Sequence, residues 1–244
     1  MRHATIAVAL LVASLILGGS GPYTARLSPR DLRGIRTVAV ISALGNSFVF
    51  ERVTDTPFAA LTPPDSKFLE ISDWALDPLI AKETTAALAR RFTVKTIVFR
   101  PADFSTWDYA LLKSSALNLN GDPAIDAYVL ILRDWHWDEI GHGAHALGGL
   151  GFYRRDKPNG RSKFAVFASY RIVVVDALTG DTLASREAVL PNQSLPWLPA
   201  GASLWPKTPN DLTDAQRAML AAYETKLVEA TLPHTLAQMN LGPK

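Results

Sequence analysis

Residues 125–156, IDAYVLILRDWHWDEIGHGAHALGGLGFYRRD, together with SKFAVFASYRIVVVD (162–176) and TLASREAVL (182–190), decide how this chain is built. Ala127 to Leu132 is apolar at every position, so a strand there is buried on both faces, as a central strand of a sheet is. Phe164 to Asp176 is a second long run rich in Val, Ile, Phe and Tyr, and Thr182 to Leu190 is a third. Between them Ala177 to Gly180 supplies a short turn with a glycine for positive φ, the chemistry of a hairpin. Between the first two runs, Ile140 to Tyr153 reads as a long glycine-histidine loop.

Working outward, Ile35 to Ser42 reads as the first strand. Ser47 to Val53 and Ser66 to Ile71 alternate around the turn-rich Thr62 to Asp65 and predict a peripheral hairpin. A helix begins near Asp77-Pro78 and runs to about Phe92, with Leu76, Ile80, Leu88 and Phe92 on one stripe. Val94 to Phe99 returns as a strand, which makes a crossover unit. Asp103 or Ser105 opens a second helix carrying Trp107, Leu111 and Leu112. After Leu190, five prolines with Trp197 and Trp205 mark a loop over 191–209. Thr213 and Gln216 then form a capping box for a helix over 213–240, with a kink expected at Pro233. The pattern predicts an α/β fold: a single-domain mixed β-sheet of about five main strands packed by helices, with a long C-terminal helix.

Composition sets the address. Met1 to His3 is a basic start, Ala4 to Leu17 is an uncharged apolar run, and Gly18 to Gly21 is small and ready for cleavage. Fourteen residues are too short for a comfortable span of a bilayer, which needs about 20. Residues 1–20 are therefore expected to be a cleaved signal peptide, with an uncleaved anchor as the alternative. Residues 21–34 are expected to be an extended entry segment, and 35–244 one domain. The chain of 244 residues has no cysteine, so thiolate ligands, disulfides and a cysteine-linked lipid anchor are all excluded. Without Arg2 the balance is 24 basic against 23 acidic side chains, which gives no footprint for nucleic acid.

The densest polar stretch is Asp134 to Glu139, followed by His142 and His145. Strand alternation puts Asp134, His136 and Asp138 on one face and Arg133, Trp135 and Trp137 on the other. His136, Asp138, His142 and His145 have the donor chemistry for zinc or copper, although their spacing matches no established metal motif. The bland alternative is a strand end emerging into water. The following residues Leu147, Leu150, Phe152 and Tyr153, edged by Arg154 and Arg155, read as an apolar loop that touches a partner or a membrane surface. Arg171 and Arg186 read as solvated charges on the sheet. Gly141 to Ala146 formally fits a dinucleotide fingerprint, but no helix follows it. No nucleophile elbow, phosphate loop or H-E-x-x-H motif is present, so no catalytic residue is assigned.

The order of elements, and above all the strand ending Tyr170 to Asp181 (YRIVVVDALTGD), resembles bacterial envelope proteins with the TolB amino-terminal-domain fold. That group includes the curli-secretion protein CsgG and the penicillin-binding-protein activator LpoB. The resemblance covers about Ile35 to Leu190, and its motifs are structural. It implies a non-enzymatic role in the cell envelope, and no functional residue carries over. The expectation is a periplasmic or secreted binding or assembly accessory protein, partnered by an envelope protein or by copies of itself. The alternative is a metal-binding protein or metallo-hydrolase using His136, His142 and His145.

Overall fold

The computed structural model describes residues 25–55, 63–104, 109–119, 123–141, 143 and 145–242. The expected leader over 1–20 and the expected ligand His142 lie outside the described residues. The strands are β1 (Thr37–Ala43), β2 (Ser47–Thr54), β3 (Asp65–Glu70), β4 (Thr93–Lys95), β5 (Ala127–Arg133), β6 (Trp135–Trp137), β7 (Ala146–Asp156), β8 (Ser162–Asp176), β9 (Thr182–Glu187) and β10 (Trp197–Pro199). The α-helices among the described residues are α1 (Pro29–Gly34), α2 (Leu76–Leu88), α3 (Tyr109–Leu117) and α4 (Asp214–Gln238). One mixed sheet in the order β3-β2-β7-β8-β5-β1-β4 carries the fold, with β6 added to β7 and both β9 and β10 added to β8.

The crossover unit forms as expected. β1 pairs in parallel with β4 and with β5, and α2 connects β1 to β4 across the β2–β3 hairpin. Two carboxylates pin this part of the sheet. Asp126 accepts the backbone N–H groups of Arg36 and Thr37, each at 2.8 Å, which sets β5 beside β1. Asp77, in the first turn of α2, accepts the Ser42 hydroxyl at 2.5 Å and the Leu44 N–H at 2.9 Å. The end of β1 is thereby capped by the start of the helix that packs on it.

Ala127 to Leu132 is buried throughout, as an all-apolar central strand requires. β8 is the long member. Its first half pairs with β7 and β10, and its second half pairs with β5 and β9, the change falling between Ser169 and Tyr170. Gly180 takes φ +70° in the β8–β9 turn, which an L side chain rarely adopts.

Alternation along the strands gives the sheet two differently covered faces. One carries Phe48, Phe50, Phe152, Tyr170, Ile172 and Val174 against α2 and α4. On the other face two smaller cores sit apart. Ile41, Leu130, Leu132 and Val173 meet Leu112 and Ala116 of α3. Val49, Leu147, Tyr153 and Phe167 meet Ile140 and Leu195 from loops.

Helix α4 begins at its capping box, with Thr213 and Gln216 satisfying each other's backbone N–H groups. Pro233 lies inside the helical run. Leu220, Leu227 and Leu236 are buried as expected, while Tyr223 is only partly so. The helix end is tied to the chain start, because Leu27 N–H donates to Met239 C=O at 3.2 Å.

Three expectations are corrected. The Ile140 to Tyr153 stretch is not a long loop: from Ala146 it is strand β7, paired with both β2 and β8. The entry segment is not wholly extended, since Ser28 caps the short helix α1 in a capping box with Asp31. The return strand after α2 is only Thr93–Lys95 rather than Val94 to Phe99. Trp107 lies outside the described residues.

Candidate binding cleft

The cleft lies on the sheet face where the α3 core and the loop-covered core do not meet. β5 ends at Arg133, Asp134 breaks the ladder, and β6 adds to β7 with His136 opposite Leu147. The break is held by backbone bonds from Asp134 N–H to Ser169 C=O at 3.1 Å and from Gly149 N–H to Asp134 C=O at 2.9 Å. Gly149 has φ +71°, and a Cβ there would stand 2.8 Å from the Arg133 Nε. That glycine lets the Arg133 side chain pass and reach the carbonyls of Leu44 and Ser47.

The expected alternation holds. Asp134, His136 and Asp138 are buried, whereas Trp135 is 42% and Trp137 61% exposed. The two indole rings meet edge to face with centroids 5.9 Å apart. Both line an open cavity of about 440 Å³, which also reaches Leu112, Leu132, Glu139 and Ser194.

Its lining includes a charged network drawn from Asp134 and from β6, β8 and β9. Arg171 Nε donates to Asp134 Oδ2 at 2.8 Å, and its Nη2 donates to Glu187 Oε1 at 3.0 Å. Glu187 Oε2 lies 2.9 Å from His136 Nε2, and His136 Nδ1 lies 3.0 Å from Ser169 Oγ. The His136 hydrogen bond is the main influence that lowers the Glu187 carboxyl below its ordinary value, against the opposing effect of burial. Arg171 is thus an ion-paired member of the cleft lining and not the solvated charge expected of it. Arg171 and Glu187 are register partners across the β8–β9 hairpin, which is how residues distant from His136 enter the same network.

Ser169, His136 and Glu187 have the residue types of a hydrolytic triad, but the geometry is that of a support. Ser169 is wholly buried in extended β8, with its hydroxyl on Nδ1 and the carboxylate on Nε2. A substrate carbonyl has no approach to that hydroxyl.

The expected metal ligands do not converge among the described residues. His136 turns to Ser169 and Glu187, whereas Asp138 serves a different set. Asp138 accepts the N–H groups of Gly141 at 2.7 Å and Gly143 at 3.1 Å, and the Tyr153 hydroxyl at 2.7 Å. His145 Nε2 is 3.6 Å from Asp138 Oδ2, and its ring stacks on Tyr153. Asp138 therefore shapes the turn into β7, a use of a buried carboxylate that needs no ion. Burial lowers the His145 pKa, with Asp138 opposing that shift. Among the described residues no three His, Asp or Glu side chains are grouped as a metal site.

The residues expected to form a contact loop are also relocated. Leu147, Leu150, Phe152 and Tyr153 are inside the fold, each at most 1% exposed. Arg155 pairs with Asp55 at 2.5 Å, and Arg154 pairs with Asp156 at 2.7 Å. The apolar composition that suggested a contact surface belongs to this chain's own core.

No protein-family model matches the chain, and no curated protein matches it. Among solved structures it is similar to protein XCC0632 of Xanthomonas campestris, a DUF330-family protein, at 10% identity and TM-score 0.35, covering 90% of each chain. It is also similar to lipoprotein GNA1162 of Neisseria meningitidis, at 10% identity and TM-score 0.28, covering 80% of this chain and 98% of that one. Neither is described as a TolB, CsgG or LpoB protein, and likenesses this distant carry no argument about function. Among the described residues no helix is long and apolar enough to cross a membrane.

Proposed function

We propose that this chain is a non-enzymatic binding or assembly accessory protein of the bacterial cell envelope, working in the periplasm after removal of its leader. Its contact surface is the cleft lined by Trp135 and Trp137, in place of the loop suggested by the sequence. The observation that carries this reading is the exposed tryptophan pair lining the same cavity as a preformed charged network. Trp and Arg are the residue types that dominate binding energy at protein interfaces, where they work from rigid, desolvated positions. Here the rigidity is built in, since Arg171, Glu187, His136 and Asp134 hold one another before any partner arrives.

The test is chemical cross-linking in the native envelope followed by recovery of the tagged chain, comparing wild type with a Trp135→Ala/Trp137→Ala double variant. Loss of specific cross-linked species, with circular dichroism unchanged, is the expected result. Recovery of the same species by a folded double variant would remove the cleft from the interaction.

A further inference from the structure

A second cavity, of about 350 Å³, opens on the opposite face of the sheet, between β2, β7 and the segment after Trp205. Its base is unusual. Arg52 of β2 and Arg154 of β7 are direct register partners in a parallel pair, with Phe50 opposite Phe152 two residues earlier. Like charges placed side by side in a sheet are destabilising unless something compensates them.

Asp156 compensates. It lies two residues beyond Arg154 on the same face and takes the Nε–H of both arginines, each at 2.7 Å. The Ser162 hydroxyl donates to the same carboxylate at 2.7 Å. Burial pushes the Asp156 carboxyl up, but the hydrogen bonds from Ser162, Arg154 and Arg52 outweigh it and hold the pKa at about 2.

Both guanidinium forks are therefore fixed through Nε, and no described contact occupies their Nη donors. Arg154 is further fixed in direction, lying 5.8 Å over the Trp205 ring and 5.6 Å over Phe164. Lys67 and Lys207 complete the basic lining, while Asp65 is the carboxylate in the wall, 3.9 Å from Lys67. Four cationic groups thus face two carboxylates, one of which is already spent on orienting the arginines.

We propose that this pocket binds a phosphate group, taken by the Nη donors of Arg52 and Arg154 with Lys67 and Lys207 alongside, the organic part of the ligand lying against Trp205. A carboxylate is satisfied by one guanidinium fork. Two aligned forks and two ammonium groups match the greater charge and the additional oxygens of a phosphate. A soluble phosphomonoester and the phosphomonoester headgroup of phosphatidic acid share that chemistry. The site is independent of the tryptophan cleft and does not rest on the function proposed for it.

The test is calorimetric titration of the full chain with inorganic phosphate and with phenyl phosphate, alongside flotation with phosphatidylcholine vesicles containing phosphatidic acid and with phosphatidylcholine vesicles alone. Saturable binding that weakens at least tenfold in Arg52→Gln and in Arg154→Gln, and severalfold in Lys207→Ala, is expected. Arg100→Gln, at an exposed cation elsewhere, is expected to bind as wild type does. Arginine-dependent binding of the soluble probes assigns the site to a phosphomonoester. Arginine-dependent flotation on the phosphatidic acid vesicles, without binding of the soluble probes, assigns it to a lipid headgroup. If Arg154→Gln fails to fold, Arg52→Gln and Lys207→Ala decide. No binding of any probe, or binding unchanged in the folded variants, overturns the proposal.

Discussion

His136 and Glu187 meet at 2.9 Å although 51 positions separate them in the chain, and Glu187 uses its other oxygen for Arg171. One carboxylate therefore joins β6 to β8 through two different side chains. Replacing it with alanine removes a charge-assisted bond from each neighbour, which costs about 1–3 kcal/mol. Urea denaturation of Glu187→Ala should show that loss, and an unchanged midpoint would mean the network contributes nothing to the fold.

The same carboxylate gives a dependence on acid. Its folded pKa lies below the ordinary 4.5, chiefly because of the His136 hydrogen bond. A lowered acid contributes stability that is present above 4.5 and lost as pH falls through the folded value. Melting curves of Glu187→Gln should therefore show a shallower decline than wild type below pH 4.5. Parallel declines would remove Glu187 from the acid response.

Glu51 has the opposite sign. Burial, and then the Asp138 charge, raise its pKa from 4.5 to about 7, against a hydrogen bond from Ser66. Between those two values the unfolded chain has released the proton that the folded chain retains, so stability falls as pH rises from 4.5 to 7 and then levels. Glu51→Gln should abolish that fall. Thermal melts at pH 5 and pH 8 check it, and an identical pH slope in the variant would contradict it.

Glu224 is wholly buried in α4, and burial raises its pKa well above the usual range against a single opposing backbone hydrogen bond from Gly151, too poorly aligned to satisfy either carboxyl oxygen. A buried acid with so little hydrogen bonding destabilises relative to an apolar group of similar volume. Glu224→Met is expected to be more stable than wild type by about 1–3 kcal/mol at neutral pH, from the size of that desolvation penalty. Chemical denaturation measures this, and a destabilised variant would show that the acid has a structural purpose.

Gly151 is a packing residue. A Cβ at this position would stand 2.5 Å from the Phe167 ring and 2.6 Å from a Val49 methyl. Gly151→Ala should lose about 1–3 kcal/mol by overpacking, and Phe167→Leu in the same chain should restore part of it. Additive losses in the double variant would refute the steric explanation.

Glycine is also where the sequence misled. Leu147 to Gly151 reads as a flexible loop because glycine is the usual residue of turns. Here Gly149 admits Arg133 and Gly151 admits Phe167, so the same residues mark crowding inside a strand. Features carried by local chemistry were legible: the all-apolar β5, the Gly180 turn, the Thr213 cap, and the separation of Asp134, His136 and Asp138 from two tryptophans on the opposite face, although not that the first three are buried. Arg171, Ser169 and Glu187 were not, because their meeting with His136 depends on strand register. One residue of slip would turn each to the other face. Polar residues at alternate positions 169 and 171 of an otherwise apolar strand were the available signal.

β8 changes neighbours between Ser169 and Tyr170, and the cleft lining is bonded to Ser169 and Arg171 on either side of that change. Neither half of the sheet can come apart without breaking pairs to this one strand. Its central amides should exchange with solvent only through global opening, while exposed helix ends exchange by local fraying. The cleft is thus mounted on an element expected to exchange slowly. A ligand entering it meets a surface that is already ordered, and little backbone freedom remains to be lost on binding.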